Sequence, residues 1–141
     1  KNVTANALAK DKNYDIEFNN DKNLRFDIKG TVIPKQFKHN AAEAINNAAQ
    51  LVHFFYEQQS QQMRYGLQNR LFIVHHSFKQ PQREMILRCH FDFKQQAFEQ
   101  YAWHITTAPN LLQYHNAIAD IIFILENKDG SFEFTFASQK P

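Results

Sequence analysis

Alternating apolar and polar residues near the start of the chain predict two neighbouring β-strands. Residues 14–18 alternate aromatic or aliphatic side chains with acids, and a second run covers residues 24–33 before Pro34 ends it. The connecting residues 19–23 are Asn, Asp and Lys, which tolerate turn conformations. The pattern therefore predicts that the two runs pair as a β-hairpin.

Apolar residues at three- and four-residue steps predict helices elsewhere in the chain. Residues 40–43 read Asn-Ala-Ala-Glu, the spacing of a capping box, and an apolar stripe then continues to about residue 58. A thinner stripe predicts a short helix over residues 3–11, and residues 94–104 predict another helix that ends before Pro109.

The remaining strand-like runs are separated by residues typical of turns. Residues 79–83 contain Pro81, and residues 127–130 read Asn-Lys-Asp-Gly, a strong hairpin signal. Strands are expected at residues 71–74, 85–93, 118–126 and 132–137. The resulting order, three helices each followed by a pair of strands, indicates an α+β fold with a central mixed β-sheet flanked by helices.

The length of the chain fits a single domain over residues 1–141, and Lys1 in place of Met suggests a piece of a longer chain. A hydrophobic fraction of 43% excludes wholesale disorder, and no apolar run is long enough to cross a bilayer. Cys89 is the only cysteine, which excludes an intrachain disulfide and fits a reducing cytoplasm.

Basic residues are concentrated towards the N-terminal end. The net charge is only +2, but eight of the 16 lysines and arginines fall within residues 1–40. This distribution is compatible with an anionic ligand near that end, and a solvated basic surface is the alternative.

The predicted hairpin carries residues suited to phosphodiester hydrolysis. That reaction needs a deprotonated water and neutralisation of the phosphoryl charge, which a metal ion held by carboxylates supplies. Asp15 and Asp27 lie on strands that pair, so both could reach one ion, with the Ile28 carbonyl as a third ligand. Lys29 emerges on the same strand face as Asp27, where its ammonium could orient the water and stabilise developing charge.

An acid on one strand followed by acid-x-Lys on the next resembles the motif of the PD-(D/E)XK nuclease superfamily. The matching residues are Asp15 and then Asp27-Ile28-Lys29, and Tyr14 stands where the motif has proline. The resemblance covers about residues 14–34. It implies a restriction-endonuclease-like core, a Mg²⁺ or Mn²⁺ cofactor, and DNA as the substrate with RNA as an alternative. A homodimer is implied as well, because cleaving both strands normally takes two copies of so small a domain.

The identity of the first acid in this motif stays open. Asp15 is preferred, but Glu17 and Asp21 are also near the start of the hairpin, and the spacing does not select among them. Glu17 is the reserve catalytic ligand.

A second group of polar residues predicts contacts with nucleic acid. Arg64, Gln68, Asn69 and Arg70 offer guanidinium and amide donors suited to phosphates and base edges, and Lys35 adds a further cation. The alternative is a solvated polar connector.

Other chemistries find no support in the chain. His75 and His76 are adjacent, so a strand would place them on opposite faces, and no paired Cys or His spacing typical of zinc occurs. Cys89 falls in an alternating run that predicts burial. The expected function is therefore a metal-dependent nuclease acting in the cytoplasm.

Two biological contexts fit this chemistry. One is a restriction-type endonuclease; the other is the catalytic tail of a larger secreted toxin, with an immunity protein as its partner. A non-catalytic module that binds nucleic acid or protein is the alternative from a different functional class.

Overall fold

The computed structural model describes residues 3–5, 14–60, 68–107 and 110–139. In these residues the strands are β1 (Val3–Ala5), β2 (Ile16–Phe18), β3 (Arg25–Val32), β4 (Arg70–Ser77), β5 (Leu112–Tyr114), β6 (Ala117–Glu126) and β7 (Phe132–Phe136). The α-helices are α1 (Ala41–Asn46), α2 (Ala48–Ser60), α3 (Glu84–Arg88) and α4 (Phe91–His104). None of these helices is long and apolar enough to cross a membrane.

The strands form one mixed sheet in the order β1-β2-β3-β4-β6-β5, with β7 also paired to β6. The first three strands are an antiparallel meander, whereas β3, β4 and β6 run parallel to one another. Both β5 and β7 are antiparallel to β6 and pair with different parts of it. The predicted mixed sheet flanked by helices is therefore confirmed, while a restriction-endonuclease-like core stays a prediction.

Helices cover both faces of the sheet. On the α1–α2 face, Leu51 and Tyr56 pack in one core with Phe72 of β4. On the α3–α4 face, Tyr101 packs in a second core with Leu71, the neighbouring residue of β4. Because β4 is covered on both sides, it is apolar along much of its length instead of alternating.

Two predicted hairpins are confirmed. In the first, β2 pairs with β3 so that Ile16 faces Phe26, and Asn19 and Asn20 adopt φ angles of 58° and 54° in the turn. In the second, β6 pairs with β7 around a turn in which Gly130 has a φ of 88°. Both turns thus place residues that tolerate left-handed backbone where the chain reverses.

The strand predicted at residues 85–93 is wrong, and so is the prediction that it pairs with residues 71–74 as a hairpin. The segment forms α3 and the first residues of α4. Phe93 packs against the same core as Ala97 and Tyr101, four and eight residues further on, so the helical period buries these side chains. Cys89, predicted to be buried in that strand, is exposed in the turn between the helices.

Two helix predictions also need correction. Val3–Ala5 is a strand paired with β2 and not part of a helix, and the rest of the predicted segment lies outside the described residues. Asn40 does precede α1, but its side chain makes no capping hydrogen bond, and the helix is interrupted at Asn47 before α2. The helix predicted over 94–104 is confirmed, with an earlier start at Phe91.

Candidate active site

The register of the first hairpin brings Asp15 and Asp27 together. Because Ile16 faces Phe26, the next pair outwards is Asp15 and Asp27, with both side chains on the same face. The Asp15 main-chain N–H donates to the Phe26 carbonyl at 2.8 Å. Its carboxylate Oδ2 accepts from the Ile28 N–H, also at 2.8 Å. Asp15 is thus held against β3 by both its main chain and its side chain.

The two carboxyl groups share a hydrogen bond, which requires a proton on one of them. Burial, together with the hydrogen bond that protonated Asp27 donates to Asp15, raises the pKa of Asp27 to about 6. The same bond, together with the N–H of Ile28, lowers the pKa of Asp15. Asp27 therefore holds a proton in mildly acidic solution that a cation could replace.

Positive charge approaches the carboxyl pair from two sides. Lys29 is exposed on the same face. Its charge contributes to the lowered pKa of Asp15 and acts against the rise in the pKa of Asp27. Arg70 of β4 is paired in register with Asp27, is only 7% exposed, and places Nη1 at 3.6 Å from Asp27 Oδ2. The carboxyl pair therefore has the exposed Lys29 ammonium on its solvent side and the buried Arg70 guanidinium on its inner side.

The alternative first acids have other partners. Glu17 faces Arg25 across the hairpin, and its Oε1 accepts from Arg25 Nε at 2.6 Å. The Arg25 guanidinium in turn lies 4.5 Å above the ring of Tyr14. Asp21 accepts from a main-chain N–H within the turn. We therefore assign Asp15, and not Glu17 or Asp21, as the partner of Asp27.

The donor set fits a hard cation with oxygen ligands. In the described part of the chain, no group of three or more His, Cys, Asp or Glu side chains could hold a metal ion. A cation would rest on Asp15, Asp27 and oxygens from the main chain or water, a set that Mg²⁺ accepts because it retains several waters. The N–H of Ile28 faces Asp15, and the C=O of a strand residue points to the same edge as its N–H. The Ile28 carbonyl as a third ligand stays a prediction.

Those residues predicted to contact nucleic acid that the structure describes are not brought together as a surface. Arg64 lies outside the described residues, and the Gln68 carbonyl accepts from a tyrosine hydroxyl of α2 at 2.7 Å. The Asn69 carbonyl accepts from the Asp27 N–H, and its side-chain oxygen accepts from the Ile118 N–H, both at 2.9 Å. Asn69 therefore ties β3, β4 and β6 together at one end.

Two further predicted contact residues also lie elsewhere than expected. Arg70 is buried beside Asp27, so it acts on the carboxyl pair and not at the protein surface. Lys35 is exposed, but it lies beyond the C-terminal end of β3, whereas Asp27 is near the other end of that strand.

No protein-family model, curated protein or solved structure matches this chain. Function is therefore inferred from the geometry and charge of the site. Sequence reasoning missed the role of Arg70, because the only signal for it is the register of two parallel strands that lie far apart in the chain.

Proposed function

We propose that this protein is a metal-dependent nuclease that hydrolyses phosphodiester bonds of DNA. The observation that carries the proposal is the hydrogen-bonded pair of Asp15 and Asp27, with Lys29 on the same face of the hairpin. Two acids with opposite pKa shifts at an accessible strand end are typical of a functional site.

Each residue has a distinct part in this proposal. Bound Mg²⁺ or Mn²⁺ would neutralise phosphoryl charge and lower the pKa of a water. Asp15 and Asp27 hold the cation through their carboxylates. Lys29 orients the attacking water and stabilises the charge that develops on the phosphoryl group. Arg70 acts as a positioning residue, because it faces the Asp27 carboxylate from the buried side.

The direct test is a cleavage assay on supercoiled plasmid DNA and on single-stranded RNA. Cutting should require Mg²⁺ or Mn²⁺ and stop on addition of EDTA. Asp27→Asn and Lys29→Ala should each lower the rate by a factor of about 100 or more, as expected for losing a group that stabilises the transition state. Asp92→Asn and Lys128→Ala are the matched controls, because both residues are exposed outside the site and should leave the rate unchanged.

The possible results separate the candidate functions. Cutting that persists in EDTA would overturn the metal-dependent mechanism, and metal-dependent cutting that survives Lys29→Ala would remove Lys29 from it. Failure to cut either polymer would favour the non-catalytic binding module. Preferential cutting of RNA would keep the chemistry and change the substrate.

The oligomeric state and the biological context are further parts of the proposal. If the enzyme acts as a homodimer, linear plasmid should appear without prior accumulation of nicked circles, and its share should rise with protein concentration. Nicked circles alone at every concentration would indicate that single copies act. In the toxin context, an immunity protein would inhibit by covering the Asp15–Asp27 pair.

A further inference from the structure

Beyond the carboxyl pair, no described residue pairs with the edge of β3 that faces away from β4. In the part of the chain that the structure describes, β2 pairs with β3 only as far as Phe26. The Asp27 N–H donates towards β4, and the Ile28 N–H points the other way, towards Asp15. Main-chain groups alternate along a strand, so the N–H and C=O of Gly30 also face away from β4. We call residues 28–32 on this side the open edge; Gly30 on it is exposed.

Arg88 stands beside Gly30 on the α3–α4 face of the sheet, and Lys94 is the neighbour of Arg88. A side-chain carbon at position 30 would lie 3.8 Å from Arg88 Nη1 and 3.8 Å from His75 Cε1. The Lys94 ammonium donates to the Arg88 carbonyl at 3.2 Å, so the two basic residues are neighbours. Both side chains are partly buried. Because Gly30 has no side chain, Arg88 and His75 lie directly beside the open edge.

Neither cation has an acidic partner among the described residues. Partial burial and the charge of Arg88 both lower the pKa of Lys94, so the two positive charges disfavour each other. Holding two cations together without a carboxylate costs free energy, and a bound anion would offset that cost.

His75 is a neutral, buried neighbour of this pair. Its Nδ1 lies 2.9 Å from the Thr31 carbonyl, so Nδ1 carries the proton, and the buried Nε2 has no hydrogen-bond partner among the residues that the structure describes. Burial and the charges of Lys94 and Arg88 lower the pKa of His75 to about 4. His75 therefore contributes neither a negative charge to balance the cations nor a third positive charge.

We propose that Arg88 and Lys94 bind a phosphate of the same nucleic-acid strand whose scissile phosphate lies at the Asp15–Asp27 pair. The inference rests on the proposed function, because it uses the same substrate. Lys29 stands on one face of β3 and Arg88 on the other, and Gly30 lies between them on the open edge. A sugar-phosphate backbone that crosses the edge at Gly30 would contact both Lys29 and Arg88. A guanidinium group can bind two phosphate oxygens at once through parallel hydrogen bonds.

The test is metal-free binding of a fluorescently labelled DNA oligonucleotide, followed by anisotropy over a range of salt concentrations. Each lost phosphate contact should reduce the slope of log K against log salt by about 0.7 to 0.9. Arg88→Gln and Lys94→Gln should each show this reduction, whereas Arg88→Lys, which keeps the charge, should retain most of the slope. Lys128→Gln is the control for a lost exposed charge. Thermal unfolding checks that every variant is folded.

The readout distinguishes this inference from the nuclease proposal. Unchanged slopes in both Arg88→Gln and Lys94→Gln, or no binding by the native protein at low salt, would overturn the phosphate site whether or not the protein cuts DNA. Reduced slopes in a protein that cuts neither polymer would support the phosphate site and refute the nuclease. Reduced slopes together with loss of cutting in Lys29→Ala are expected when both proposals hold.

Discussion

Burial has opposite consequences for the protonation of Asp27 and His75, the two side chains with the most informative pKa shifts. Burial disfavours the charged form of each group, so it raises the pKa of the acid to about 6 and lowers that of the imidazole to about 4. Between those two values both side chains are neutral in the folded protein. Each residue therefore gives rise to a pH dependence with its own sign.

The first expected consequence concerns the binding of divalent cations. Below pH 6 a cation must displace the proton on Asp27. The dissociation constant for Mn²⁺ should therefore rise by about tenfold for each unit by which the pH falls. Above pH 7 it should change little. Calorimetry at pH 5.5 in buffers of different ionisation enthalpy should detect the released proton, and Asp27→Asn should abolish that release. A flat affinity from pH 5 to 7 would contradict the assignment.

The second expected consequence concerns the stability of the fold in acid. The pKa of His75 in the folded protein, about 4, is below the value of about 6.5 for an unfolded chain, so the unfolded state binds the proton first. The contribution to stability is present above pH 6.5 and is lost as the pH falls towards 4. Between pH 7 and 4.5 it should amount to about 2 to 3 kcal/mol.

Urea unfolding of the native protein and of His75→Leu at these two pH values checks this expectation. The variant should lose less stability on acidification than the native protein. Asp27 contributes with the opposite sign over part of this range, but it is present in both proteins, so its effect cancels in the comparison. Equal losses in the two proteins would show that His75 does not titrate as described.

At the scale of elements, a buried carboxylate joins β6 to the helix and the C-terminal segment that pack on it. Asp120 accepts from the Tyr101 hydroxyl of α4 at 2.9 Å and from the Ser138 N–H at 3.0 Å. It also accepts from the Ser138 hydroxyl and from the Ile121 N–H. Burial raises the pKa of Asp120, and these donors act against that rise. The network therefore holds three elements in a fixed relation.

Removing this acceptor should destabilise the fold. Asp120→Ala leaves the Tyr101 and Ser138 donors buried without a partner, at an expected cost of about 2 to 4 kcal/mol in the free energy of unfolding. Asp120→Asn keeps one acceptor oxygen and should cost less. Urea unfolding gives both values, with Asp92→Ala as an exposed control. A cost for Asp120→Ala below about 1 kcal/mol would contradict the structural role.

Elements were predictable where they pair locally, and less so where distant packing decides. The hairpins β2–β3 and β6–β7 follow from alternation and from turn residues that tolerate left-handed backbone. The helix α3 and the first residues of α4 replace a predicted strand, because side chains of these helices are buried against a sheet formed elsewhere in the chain. The alternation of residues 85–93 by itself could not show that this sheet would lie against them.

Considered as a whole, the molecule has two apolar cores that share one sheet. Residues of β4 and β6 alternate between the α1–α2 core and the α3–α4 core, so loss of either core exposes the same strands. This arrangement predicts that the described domain unfolds as one cooperative unit.

A matched pair of core substitutions tests that cooperativity. Leu51 on one face and Leu87 on the other are both fully buried. Leu51→Ala and Leu87→Ala should each lower the free energy of unfolding by about 2 to 5 kcal/mol and shift one shared transition. Far-UV and near-UV circular dichroism should report the same midpoint in each variant. Separate midpoints would show that the two cores unfold independently.

The sequence by itself determined the hairpin and the placement of Asp15, Asp27 and Lys29 on one face. These contacts depend only on a short turn and on the alternation of side chains along paired strands. The tertiary structure alone decided that Arg70 lies behind Asp27. It also decided that Arg88 stands beside Gly30, with Lys94 as its neighbour. The physical reason is that parallel pairing and helix packing join residues far apart in the chain, and no local pattern encodes their register.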